Sequence, residues 1–264
     1  MNPEMLLREF DRASEAPDAM TRLRAFFLEL AVRGHLSKQC SDDDSSLELL
    51  RRARPAAYID AVSGPFEIPN SWVWMRFSDI TEFSAGRTPS RNDPTYWNTG
   101  DYAWTSIADM PDGGAVTVTK ETVSQKAKDD VFRAEPAPVG TMIMSFKLTI
   151  GKIARLAVPS YHNEAIISIH LHVPEMDPYL FLALPERARR GATKGAIKGA
   201  TLNRNSLSEL LIPLPPMQEQ GQIVNKVNEL MDVCDELEME TANVQSVQSR
   251  LLDALLHQTL DVDL

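Results

Sequence analysis

Ile212-Pro213-Leu214-Pro215-Pro216-Met217-Gln218-Glu219-Gln220 divides this chain into two kinds of sequence. The prolines deny a helix to the segment through Pro216, since proline has no backbone donor and its ring clashes with the preceding turn. From Met217 the pattern changes. Ile223, Val227, Leu230, Cys234, Leu237, Thr241, Val244, Gln248, Leu251 and Leu255 follow one another in steps of four and three. Eight of the ten are apolar if cysteine is counted, and neither Pro nor Gly interrupts Gln222 to His257. A repeat sustained in this way marks a coiled coil. A helix of roughly 40 residues would reach about 60 Å at 1.5 Å per residue, more than a domain of this size covers. It needs a partner, either the N-terminal helices of this chain or another copy. Ile223, Val227, Leu230, Leu237, Val244, Leu251 and Leu255 are its expected seam.

At the other end, residues 1–65 read as a helical region. Met5, Leu6, Leu7 and Phe10 begin an apolar stripe that breaks at Ser14-Glu15-Ala16-Pro17-Asp18. A second helix carries Leu23, Phe26, Phe27, Leu30 and Ala31 at helical spacing, with Gly34 as its stop signal. Leu47, Leu49 and Leu50 start a short helix that Pro55 ends. Residues 66–210 differ in character, with tryptophans, turn residues and short β-like runs. Trp72 to Phe77, Val116 to Thr119, Thr141 to Phe146, Ile153 to Val158 and Ala165 to Val173 suit strands. Pro178 to Arg190 reads as a helix that Pro185 shortens or kinks, and Gly191 to Gly199 reads as a loop. The fold class is α+β: a mixed α/β domain at 66–210, N-terminal helices before it, and a long coiled-coil helix at 211–264.

Composition suits a soluble globular protein, with 43% hydrophobic and 24% charged residues among 264. No run of about 18 apolar residues suggests a membrane span. Met1-Asn2-Pro3-Glu4 lacks a basic stretch leading into an apolar one, so a cytoplasmic protein is expected. Cys40 and Cys234 lie far apart without metal-ligand spacing and read as free thiols. The net charge of −10 argues at first against nucleic acid, but its distribution does not. Residues 66–210 hold 16 basic and 16 acidic side chains, while 211–264 hold two basic and ten acidic. Arg187 to Arg204 contains six basic residues and no acid.

Chemistry of the enzymatic kind is hard to find. There is no phosphate-binding Gly-x-x-x-x-Gly-Lys-Ser/Thr and no Gly-x-Ser-x-Gly nucleophile turn. His170 and His172 would share one face of a strand, yet lack a nearby third ligand, so no metal site and no catalytic residue is assigned. Nucleic-acid chemistry is better represented. Gly86-Arg87-Thr88-Pro89-Ser90-Arg91 is a bounded loop with two arginines and two hydroxyls, groups that grip guanine edges and phosphates. Lys147, Thr149 and Lys152 decorate a strand–turn–strand segment, and Lys194, Lys198, Asn203 and Arg204 a basic loop of small residues. Each loop alone is equally an ordinary solvated turn, and Ser145 to Lys152 is the most apt to be partly structural. Together they point to duplex DNA. Trp72, Trp74, Trp97 and Trp104 read as core aromatics rather than base-stacking platforms.

The order of these pieces resembles the specificity subunits of type I restriction-modification systems. Leu23 to Leu36 is similar to their N-terminal helix, and Ile68 to Phe77 to the Pro-x-x-Trp-x-Trp start of their target recognition domain. Gly86 to Ser90, Tyr96-Trp97, Trp104 to Met110, Gly140 to Lys152, Asn163 to Ile166 and Ile197 to Asn203 continue the family's order. Ile212 to Gln220 resembles the lead into its spacer helix. The resemblance implies a subunit that reads DNA while a separate modification subunit binds S-adenosylmethionine and methylates adenine. A separate restriction subunit translocates and cleaves. Family members usually carry two recognition domains and two spacer helices, whereas one of each stands here. The chain is then either a half-subunit that pairs with a copy of itself or half of a longer protein. The rival reading is a non-catalytic coiled-coil assembly protein with a protein-binding domain.

Overall fold

Helix α1 (Ala19–Val32) carries the expected stripe of Leu23, Phe26, Phe27, Leu30 and Ala31. It stops where Gly34 turns left-handed at φ 75° and donates its amide to Ala31. The computed structural model describes residues 18–38, 44–193 and 202–260; the stripe expected at Met5 to Phe10, Cys40, Lys194 and Lys198 lie outside them. Helix α2 (Ser46–Ala53) ends before Pro55, as expected.

Strand β1 (Val73–Arg76) is shorter than the expected run from Trp72 to Phe77. Phe77 instead opens a single helical turn, α3 (Phe77–Ile80), which puts Phe77 and Ile80 in the core. There follow β2 (Thr81–Ala85), β3 (Trp97–Thr105), β4 (Gly114–Val116) and β5 (Glu121–Val123). Of the strand expected at Val116 to Thr119 only Val116 is extended in a ladder. The next strands are β6 (Met142–Ser145), β7 (Ile153–Leu156), β8 (Ser160–His162) and β9 (Ile166–Leu171). Helix α4 (Asp177–Thr193) neither stops at Pro185 nor yields to a loop at Gly191. It buries Tyr179, Leu180, Ala183, Leu184 and Ala188, and burial of that face outweighs the roughly 3 kcal/mol an internal proline costs a helix. One short helix, α5 (Arg204–Ser208), one strand, β10 (Leu211–Leu214), and α6 (Met217–Leu260) complete the chain.

The strands form three sheets. The largest has the order β2-β9-β6-β7-β4, antiparallel except where β4 runs parallel to β7. Its inner strands β6 and β9 are apolar runs buried on both faces rather than alternating ones. Met110, Val116, Ile143, Ala154, Leu156 and Ile166 form one core cluster there. The second sheet, β5-β3-β8, carries Trp97, Trp104, Val123, Ala127 and Tyr161 in a second cluster, with the two tryptophan rings edge-on at 5.0 Å. The third pairs β1 with β10, Trp74 opposite Pro213. Pro213 has no amide to donate, and its carbonyl accepts from the buried Tyr179 hydroxyl at 2.7 Å.

The chain divides into two compact units, one of Ala31–Val224 and one of Met1–Leu30 with Asn225–Leu264. The strand pairing of β10 carries residues 211–214 into the larger unit. Gln220 does the same for the start of α6, donating to Ser46 Oγ and Pro215 O at 3.0 Å each. In the other unit Arg24 of α1 reaches Asp235 and Glu238 of α6 at 2.5 and 2.7 Å. Of the expected seam, Ile223 and Val227 are buried, Leu230 and Leu237 are half-buried, and Val244 and Leu251 are 54% and 61% exposed. The Leu255 side chain lies outside the described ones. Among the described residues no helix is long and apolar enough to cross a membrane.

Candidate nucleic-acid interface

The loop after β2 is set in place by a steric device at Gly86. A Cβ there would stand 1.9 Å from the carbonyl oxygen of His162 and 2.4 Å from that of Asn163, so only glycine lets the chain cross so close. Two backbone hydrogen bonds hold the crossing: Gly86 N–H to Ile166 O at 3.1 Å and Arg87 N–H to His162 O at 2.9 Å. His162 lies beneath, 6% exposed, with Nε2 against the Ser168 hydroxyl. Burial lowers its pKa to about 4, so it is a neutral spacer between two sheets at physiological pH.

Past this crossing, loops far apart in sequence meet. Thr88 donates its hydroxyl to Glu164 in the β8–β9 turn. That bond holds the Glu164 carboxyl below its ordinary pKa against partial burial, and the charges of Lys147 and Arg91 add to the effect. Phe146 donates its amide to Ala165 O at 2.9 Å and accepts from the Leu202 amide at 3.2 Å. Thus Thr88 and Arg91, Lys147, and the Leu202–Arg204 segment belong to one edge of the larger unit, with Glu164 among them. Ser90 is exposed, while its carbonyl accepts from the Trp97 indole at 3.0 Å.

Several expected DNA contacts also serve the fold. Arg87 Nη1 donates to Val131 O at 2.6 Å, and Arg91 forms a bidentate pair with Glu121 while lying 3.7 Å over the Trp97 ring. Lys152 sends its ammonium to Ile107 O at 3.3 Å, and Thr149, exposed at its side chain, accepts at its carbonyl from Ser145. Asn203 caps α5 by accepting from Ser206 N–H at 2.9 Å, leaving Arg204 exposed on the first turn. The 146–152 segment is braced from behind: Gly151, at φ 77°, lies where a Cβ would meet Pro185 O at 2.7 Å, and Arg189 donates to Gly151 O.

Further groups at this edge gave no sign in the sequence. Lys126 pairs with Asp93, and Lys128 with Glu135 over the Tyr102 ring. Arg133 adopts a left-handed φ of 55°, next to a shallow groove shared with Arg87, Thr88, Asp130 and Glu164. Their spacing repeats no motif; Lys128 opens a π-helical turn at Lys128–Phe132 that Arg133 caps. Glu164 was legible only as part of Asn163 to Ile166. Leu148 is 85% exposed with a left-handed φ of 62°, a backbone conformation that costs a leucine roughly 1–2 kcal/mol. All four tryptophans are buried, as core aromatics should be. His170 is exposed opposite Glu82 on β2, His172 follows β9 half-buried, and no cluster of three metal-ligating groups occurs among the described residues.

A mixed-sheet domain that gathers cationic loops at one edge and continues into a long helix defines a class of architecture: a mixed α+β domain followed by a helical spacer. The particular family is given by comparison with known proteins. The family model described as type I restriction modification DNA specificity domain matches residues 69–244, and the chain belongs to that family. It is 26% identical, over 91% of its length, to the specificity subunit of the type I restriction enzyme EcoEI of Escherichia coli, and equally so to that of EcoAI. It spans 44% of each of those proteins, less than half their length. The HsdS subunit of Thermoanaerobacter tengcongensis shares the fold, with a TM-score of 0.55 at 17% identity over 96% of this chain and 56% of that one.

Proposed function

We propose that this chain is the DNA-reading component of a type I restriction-modification assembly and performs no methyl transfer or cleavage itself. The observation that carries the reading is the gathering at Glu164 of loops from three separate stretches, each bearing cations or hydroxyls. Arg87, Thr88, Ser90, Arg91, Lys147, Thr149 and Arg204 face the duplex in this account, and Lys194 and Lys198, outside the described residues, are counted with them by residue type alone. Lys152 and Asn203 hold its shape. Phosphate contacts position such a surface and base-edge contacts select the sequence. A modification subunit supplies S-adenosylmethionine and the methylating site, and a restriction subunit the cleavage. The exposed apolar residues of α6 take a second copy, so that two reader domains address inverted half-sites with a fixed gap.

The test is a genome-wide map of N6-methyladenine in cells expressing this chain with its modification subunit. A new motif with identical inverted halves supports both the reading and the pairing. No new motif, with both proteins soluble, refutes the chain as a self-sufficient reader.

A further inference from the structure

Leu148 stands out at the loop cluster by its backbone, a left-handed φ of 62° on a leucine that is 85% exposed. The segment that carries it is rigidly built. Gly151 N–H donates to Ser145 O at 2.9 Å, Ser145 Oγ donates to Thr149 O, and Arg189 and Pro185 back the segment from α4. Lys147 precedes Leu148 and Thr149 follows it, and Glu164, held by Thr88, neighbours Lys147. Glycine would relieve the φ and, with Leu148 85% exposed, would uncover no buried group among the described residues.

On the reading that this edge meets DNA, we propose that Leu148 is a specificity residue that makes apolar contact with a base edge in the groove. The 5-methyl group of thymine is the complementary chemistry, being the apolar group a base pair presents in the major groove. The neighbouring cation and hydroxyl would hold the phosphates on either side, so the leucine is positioned by contacts that carry no sequence information of their own.

The experiment uses the full chain in its assembly, with one duplex of the mapped target and one scrambled duplex, binding being followed by fluorescence anisotropy. Leu148→Ala should weaken the target complex about 10-fold, the scale of one lost base contact, and leave scrambled binding and the salt dependence unchanged. Replacing target thymines singly by uracil should weaken the wild type at one position and have no further effect there on Leu148→Ala. Leu148→Gly should lose the same affinity while melting no lower than wild type, which separates contact from folding. Equal binding by wild type and Leu148→Ala would overturn the proposal, as would an equal loss on both duplexes or a uracil scan without such a position. Loss of modification-subunit capture with duplex binding intact would also overturn it, in favour of protein docking. A wild-type assembly that does not distinguish the two duplexes would instead refute the DNA-reading function on which the proposal rests.

Discussion

Replacing Gly86 by alanine tests whether the interface depends on a backbone crossing rather than on any single cation. The added methyl would stand 1.9 Å from His162 O and 2.4 Å from Asn163 O, and both obstacles are backbone that no rotamer change can remove. The loop must therefore lift. Overpacking of this kind costs about 1–3 kcal/mol. The two crossing hydrogen bonds, from the Gly86 and Arg87 amides, add about 1 kcal/mol each when broken. The expected destabilisation is roughly 3–5 kcal/mol, which at about 2–4 °C per kcal/mol lowers the melting temperature by roughly 6–20 °C. Because Thr88 and Arg91 ride on the same loop, affinity for the target duplex should fall in the protein that remains folded. Gly221→Ala is the control, since nothing lies within 4 Å of its Cβ and it sits exposed in α6, where alanine is favoured by about 1 kcal/mol. Thermal unfolding and anisotropy titration of both variants decide the matter. If Gly86→Ala melts within about 1 °C of wild type and binds equally, the crossing does not govern the interface and the argument fails.

Three other perturbations follow from the same geometry. His162 titrates at about 4 when folded, below the roughly 6.5 of an unfolded imidazole, so the unfolded chain takes up the proton first. Its stabilising effect is complete above pH 6.5 and is lost as pH falls towards 4, by about 3 kcal/mol in all. His162→Asn should remove that part of the pH slope in denaturant unfolding, and an unchanged slope would contradict the assignment. Arg91→Ala gives up the Glu121 pair and the stacking on Trp97, both partly exposed, and should cost only about 1 kcal/mol in urea unfolding; a loss several times larger would mean that the pair anchors the fold. Val244→Asp with Leu251→Asp places charges on the exposed stripe of α6. Sedimentation should show a dimer for the wild type and a monomer for the variant, and equal masses would remove the pairing from the proposal.

The long helix was the most legible element, because a seven-residue apolar repeat is a local property that survives any tertiary arrangement. α1, with its Gly34 stop, and α2 were equally plain. Strand ends were less so. Phe77 and Val118 are β-formers by type, yet one turns into α3 and the other lies exposed beyond β4, since burial and ladder position decide strand limits. β2, β3, β5, β8 and β10 were not read as strands; Ser160–His162 and the proline-containing Leu211–Leu214, for example, carry no alternation, and partners 57 and more than 130 positions away define them.

The candidate site divides along the same line. Cations in glycine-bounded loops can be read from residue type, so Arg87, Arg91, Lys147 and Arg204 could be named in advance. Which of them point outward could not. Lys152 turns to the Ile107 carbonyl and Asn203 turns to its own helix, each choice set by the nearest acceptor that packing supplies. Leu148 and Glu164 entered the site only through position, one by its left-handed backbone and exposure, the other by the turn that meets Thr88 and neighbours Lys147. The sequence by itself determined the class of fold, the helical spacer and the family order of motifs, because periodicity and motif order are written along the chain. Only the tertiary structure decided which loops share an edge, because that depends on Gly86 passing within contact distance of His162, 76 positions further on.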